Sequence, residues 1–180
     1  MAFLHDAGIP CTSFFVSDFV RNGQDGFMDM EMFKEAGRLC EVGAHGASHT
    51  DLTSLDAKAL TAELANSKKY LEDLSGSAVT TLSAPGGRIN RRVVRSALDL
   101  GYQVVGDSVS LINSTPTLPL HRLCVVNGQS PEFLVSLIRA GAMYWMYRRL
   151  RRRSVATAAK LVGEEWLQHI RKTFKGGRET

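Results

Sequence analysis

Short apolar runs, spaced too far apart for hairpins, constrain this chain more than any other feature. Residues 11–16, 39–44, 79–83 and 102–106 each have the length and the β-branched or aromatic content of a buried strand, and 120–126 adds a fifth. Between them lie stretches with helical spacing. Residues 29–38 place Phe33 and Ala36 on one side, with Gly37 near the end. The segment 56–74 repeats Leu60, Leu64, Leu71 and Leu74, opens on a capping Asp56 and is followed by Gly76. Asn90 can cap a helix over 91–100 that Gly101 ends, and Ser130 with Pro131 opens another over 130–141. Strands alternating with helices predict an α/β fold with a largely parallel sheet.

At 180 residues the chain is long enough for one real core without staples. Cys11, Cys40 and Cys124 are odd in number and lie in apolar runs, so they read as buried thiols, not a disulfide framework or a cysteine-based zinc site. No run of about 18 apolar residues is present to cross a membrane. Met1–Asp6 lacks the basic and long apolar regions of a signal peptide and reads as the tail of an amphipathic helix.

In such a fold the loops after the strands carry the chemistry. The run at 39–44 delivers His45-Gly46-Ala47-Ser48-His49. Two imidazoles four residues apart can reach one divalent ion from the same side of a turn, and neutral imidazole suits zinc and similar ions. The spacing alone also fits ordinary surface or core histidines. A metal site needs a third protein ligand, which this stretch does not supply. Asp107, just after a strand, could line the cleft, but a surface turn is the simpler reading.

The charge is unevenly spread. Residues 148–180 hold ten Lys and Arg against three acids, whereas residues 1–147 hold twelve against fifteen. The basic character therefore belongs to the end of the chain. Met143–Tyr147 followed by the arginines to Arg153 could lie on an anionic membrane surface. A terminal helix with an apolar side docked on the domain and a solvated basic face is the simpler reading. Nucleic-acid binding needs a recognition fold as well as basic charge, and no such fold is indicated.

Taken in order, the run Ile9-Pro10-Cys11-Thr12-Ser13-Phe14-Phe15-Val16, the stretch from Glu41 through His45 and His49 to Leu52, the helix carrying Glu63 to Leu74, and Ser83-Ala84-Pro85-Gly86-Gly87-Arg88 resemble the polysaccharide deacetylases, the NodB-homology family. The resemblance covers about residues 1–140, leaving 141–180 as a basic helical extension. It implies a distorted (β/α) barrel, incomplete in this chain, that holds one divalent metal, often zinc. It further implies release of acetate from an N-acetylated sugar by hydrolysis of a non-peptide C–N bond. His45 and His49 match the family's two metal histidines. Gly86 matches the position whose backbone N–H helps hold the oxyanion, and Pro85 and Gly87 match the turn of that motif.

The departures are specific. The family's Thr-Phe-Asp-Asp-Gly motif, which carries the third metal ligand and the general base, is expected upstream of Thr12, and this sequence does not contain it. The arginine of the Arg-x-Pro-Tyr-Gly motif is Ser83 here, and its tyrosine is Gly86. The late Leu-x-x-x-His motif has no clear match, and His121 is given no role. Without the first strand, the barrel sheet would have an open edge. The alternative expectation is a non-catalytic carbohydrate-binding or membrane-associated relative that kept the sheet and lost the chemistry.

Overall fold

The computed structural model describes residues 1–109 together with 113, 118–122, 125, 128–132 and 135. Helix α1 (Ala2–Asp6) leads into strand β1 (Thr12–Phe15), and α2 (Ser17–Asn22) and α3 (Met30–Leu39) follow. Next come β2 (Glu41–Ala44), α4 (Ala57–Ser75), β3 (Thr81–Ser83), α5 (Arg91–Asp99) and β4 (Val104–Gly106). The four strands form one parallel sheet in the order β1-β2-β3-β4, and Leu120 makes a further parallel bridge to Gly106. The alternation predicted from sequence is thus present as an α/β fold. Of the fifth expected run, residues 120–122 and 125 are described, and among these Leu120 alone bridges to the sheet.

Local chemistry explains the helix boundaries. Asp29, Asp56 and Asn90 each accept a hydrogen bond from the backbone N–H three residues on, at 2.9, 2.8 and 3.0 Å, and so cap α3, α4 and α5. Gly76 ends α4 in a left-handed conformation, φ +69°. Helix α2 has no such signal in its sequence. Its first two amides, Ser17 and Asp18, donate to Gly46 and Ala47 carbonyls at 3.2 and 3.0 Å. Its cap is therefore supplied by a loop almost thirty residues away, which explains why local pattern does not reveal it.

The core lies between the sheet and these helices. Leu60, Leu64 and Leu71 of α4 are fully buried, as are Leu82 and Val105 of the sheet. Phe15 meets Phe33 edge-on at 4.7 Å, and Tyr102 donates its hydroxyl to the Leu64 carbonyl at 3.1 Å. Burial pushes the Tyr102 phenol far up, so it stays neutral and the bond persists.

Two expectations need correcting. Cys11 and Cys40 are free and only partly buried, because they stand at the entry ends of β1 and β2, where the core thins. Asp107 is not a surface turn: it is 4% exposed, held under the chain where Leu120 returns to the sheet. Cys124 lies outside the described residues. Pro131, Glu132 and Val135 are helical, at the expected start of the helix over 130–141. Expectations for residues 141–180, including surface contact through 143–153, lie outside the described residues.

Candidate metal and acyl-transfer site

The parallel sheet fixes the place of the site. Strands β1 to β4 run the same way, so the residues that follow them gather at one end: Val16, His45, Ala84 and Asp107. His45 is anchored twice. Its amide donates to the Phe15 carbonyl at 2.8 Å, continuing the β1–β2 ladder, and its ring Nδ1 lies 2.6 Å from the Ser83 carbonyl. A carbonyl can only accept, so Nδ1 carries the proton and Nε2 keeps its lone pair. This is the arrangement that orients a metal-binding imidazole.

Burial lowers the His45 pKa; the Ser83 bond works against that, and His49 and Arg122 add to the lowering. The ring is therefore neutral near pH 7, as a ligand must be. His49 follows with φ +64°, the non-glycine residue found in the left-handed region among the described ones. That backbone turn brings the two rings to 5.1 Å between centroids. Both line a cleft of about 540 Å³ whose wall includes Phe14, Phe19, Phe27 and Met28.

The loop after β3 forms the other side. Pro85–Gly87 makes a single 3-10 turn, with Gly86 at φ +63° and Gly87 at φ +66°. A Cβ on Gly87 would stand 2.4 Å from Ser108, so only glycine fits there. Asp51 joins this loop to the histidine segment. It accepts from the Thr53 hydroxyl and amide at 2.7 and 2.9 Å and pairs with Arg88 at 2.8 Å. Those bonds, Thr53 foremost, hold its carboxyl below the usual range.

Sequence reasoning offered Asp107 as a cleft residue but missed the constellation it belongs to. Asp107 accepts from His121 Nδ1 at 2.9 Å and from the Val109 amide at 2.9 Å, while Arg122 Nε donates to the Asp107 carbonyl at 2.7 Å. Leu120 bridging to Gly106 brings His121 back beside β4. The one available signal was a carboxylate directly after a strand, and nothing local showed what would fold over it.

The residues therefore fit two of the three protein ligands a metal needs. Among the described residues no three His, Cys, Asp or Glu side chains converge as a complete set.

The family model for polysaccharide deacetylases matches residues 1–105, more than half of the sequence. The chain belongs to the polysaccharide deacetylase family. YxkH of Bacillus subtilis (strain 168), a protein carrying the family's name, is 27% identical over 126 residues, which is 68% of this chain and 44% of YxkH. The deacetylase PplD of Streptococcus pyogenes, solved with acetate, superposes with a TM-score of 0.70 at 22% identity, over 76% of this chain and 62% of PplD. IcaB of Ammonifex degensii gives a TM-score of 0.64 at 20% identity, over 77% and 66%. BA3943 of Bacillus anthracis, described as a CE4 family pseudoenzyme, gives 0.52 at 19%, over 58% and 36% or less. At such identities these structures establish the fold, the deacetylase (β/α) type. The chain spans less than half of the curated relative and under two thirds of PplD.

Proposed function

We propose that this chain carries the histidine half of a metal-dependent deacetylase acting on N-acetylated carbohydrate. The observation that carries the reading is the pair His45 and His49, with His45 locked by Ser83 in the tautomer that presents Nε2. Family membership supports the substrate class, and zinc is the ion that two neutral imidazoles and a carboxylate suit best. When bound, such an ion polarises the amide carbonyl and lowers the pKa of a coordinated water. His45 and His49 would hold it, and the Gly86 N–H would meet the developing oxyanion. His121, with Nδ1 tied to Asp107, has Nε2 left to carry a proton toward the departing amine.

The third ligand and the base are not supplied by the site's described neighbours. Strand β1 stands at the end of the strand order, beside His45, and a further strand pairing there would bring a carboxylate to the open side. That is where we place the missing Asp-Asp element.

A second reading has its own support: Ser83 replaces the motif arginine and Gly86 its tyrosine, and one structural relative is a pseudoenzyme. In that reading the protein binds glycan without cleaving it. Zinc titration of the wild type beside His45→Ala and His49→Ala decides whether the metal reading stands. Each variant should bind at least about tenfold more weakly. Equal affinity in all three would leave the non-catalytic reading.

A further inference from the structure

The loop between the two histidines is held from a helix that takes no part in the proposed chemistry. Glu63, in the second turn of α4, accepts from the Ser48 amide at 2.7 Å and from the Ser48 hydroxyl at 3.0 and 3.1 Å. Ser48 also shares a 2.8 Å hydrogen bond with Thr50, so both neighbours of His49 are tied into the same contact. One helical turn further on, the buried Ser67 donates to the Gly46 carbonyl at 2.9 Å. The same carbonyl accepts from Ser17, and Ala47 from Asp18. Every residue between the histidines is thereby fixed from α2 or α4.

Such holding has a reason. A histidine at φ +64° lies in a sparsely populated backbone region and persists only where its surroundings over-determine it. Charged acceptors make the strongest bonds to backbone N–H groups, so the Glu63 carboxylate is the firmest of these ties. It also explains Gly46. This residue lies at φ +80°, and a Cβ there would stand 3.0 Å from Glu63 Oε1. A side chain at 46 would be strained at that φ and would press on the carboxylate that holds Ser48 by a few tenths of an ångström.

We propose that Glu63 is a positioning residue for the metal site: it sets the left-handed turn that brings His49 to His45, and Gly46 is the space it requires. The inference rests on the histidine pair being the metal site. Glu63 touches neither ring in this role; it acts through Ser48. A residue orienting a ligand in this way is worth roughly 10–100-fold in metal affinity.

The test is zinc affinity, read by competition with a chromophoric chelator, in Glu63→Ala, Glu63→Gln, Gly46→Val and Asp56→Ala, beside His49→Ala. Asp56→Ala uncaps the same helix without touching the loop, and so reports general loss of stability. Glu63→Ala and Gly46→Val should each weaken zinc about tenfold or more. Glu63→Gln, which keeps an acceptor for the Ser48 amide, should recover part of the loss, and Asp56→Ala should bind as wild type.

Wild-type affinity in Glu63→Ala, with His49→Ala impaired, would overturn the proposal and leave the metal reading intact. So would equal losses in Glu63→Ala and Asp56→Ala. Should His49→Ala itself bind zinc normally, the metal reading fails and the positioning of a metal ligand with it, and amide exchange then judges only whether Glu63 sets the turn. A Ser48 amide protected in the wild type and exposed in Glu63→Ala upholds that role; one unprotected in both overturns it.

Discussion

His45 loses hydration on folding and gains a carbonyl partner for Nδ1, and burial wins, so the ring binds a proton less readily in the folded chain than in the unfolded one. The sign of the pH effect follows. The unfolded state takes up more protons as pH falls through the ordinary histidine range near 6.5, so this contribution to stability is full above that value and is lost below it. Urea midpoints of the wild type should therefore fall more steeply between pH 7 and pH 5 than those of His45→Asn; parallel curves would show that burial does not govern the ring. Asp107 is a stability residue of another kind. Its buried carboxylate receives two hydrogen bonds, and Asp107→Ala should cost about 1–3 kcal/mol by leaving His121 Nδ1 and the Val109 amide unpaired. A loss under about 0.5 kcal/mol in denaturant melts would contradict that accounting. The two residues differ in how readable they were. His45 and His49 declared themselves by spacing and by position after an apolar run. The burial of Asp107 depends on a chain return thirteen residues later, which no local pattern encodes.

At the scale of elements, the helices that carry their own caps were legible and the one that borrows its cap was not. Helix α4 has Asp56 before it, leucines on one face and Gly76 after it, and the structure buries Leu60, Leu64 and Leu71 as the spacing requires. Removing the cap in Asp56→Ala should cost about 1 kcal/mol, whereas Leu64→Ala should cost about 2–5 kcal/mol through lost burial and the cavity left behind. Thermal or chemical melts that ranked the two the other way would place the stability of α4 in its ends and not in its packing. Helix α2 has too few residues to declare a period, and its amides are satisfied by the Gly46 and Ala47 carbonyls. Its formation is thus tied to the histidine loop. Substitutions that loosen that loop should loosen α2 as well.

For the molecule as a whole, the alternation of strands and helices was enough to name a parallel α/β fold, but not the order of strands, which depends on which helix packs on which face. The order places β1 at one end, with β2 to β4 inside or bridged to Leu120. A strand whose outer N–H and C=O groups lack a sheet partner is a template for another strand. Amide exchange of this chain should therefore show β2 and β3 protected and the outward-facing amides of β1 fast. Adding the family's Asp-Asp strand, in a longer polypeptide, should slow those amides and tighten zinc together. Protection of every β1 amide in the present chain would show that this edge is already covered.

The central claim is that His45 and His49 act on one ion, with His45 binding through Nε2 while Nδ1–H stays on Ser83. Long-range nitrogen–proton NMR of the histidine rings during a zinc titration tests it most directly. Both rings should shift together, reach completion at one equivalent, and leave the His45 Nδ1 proton in place. Separate titration of the two rings, or a shift of only one, would contradict it.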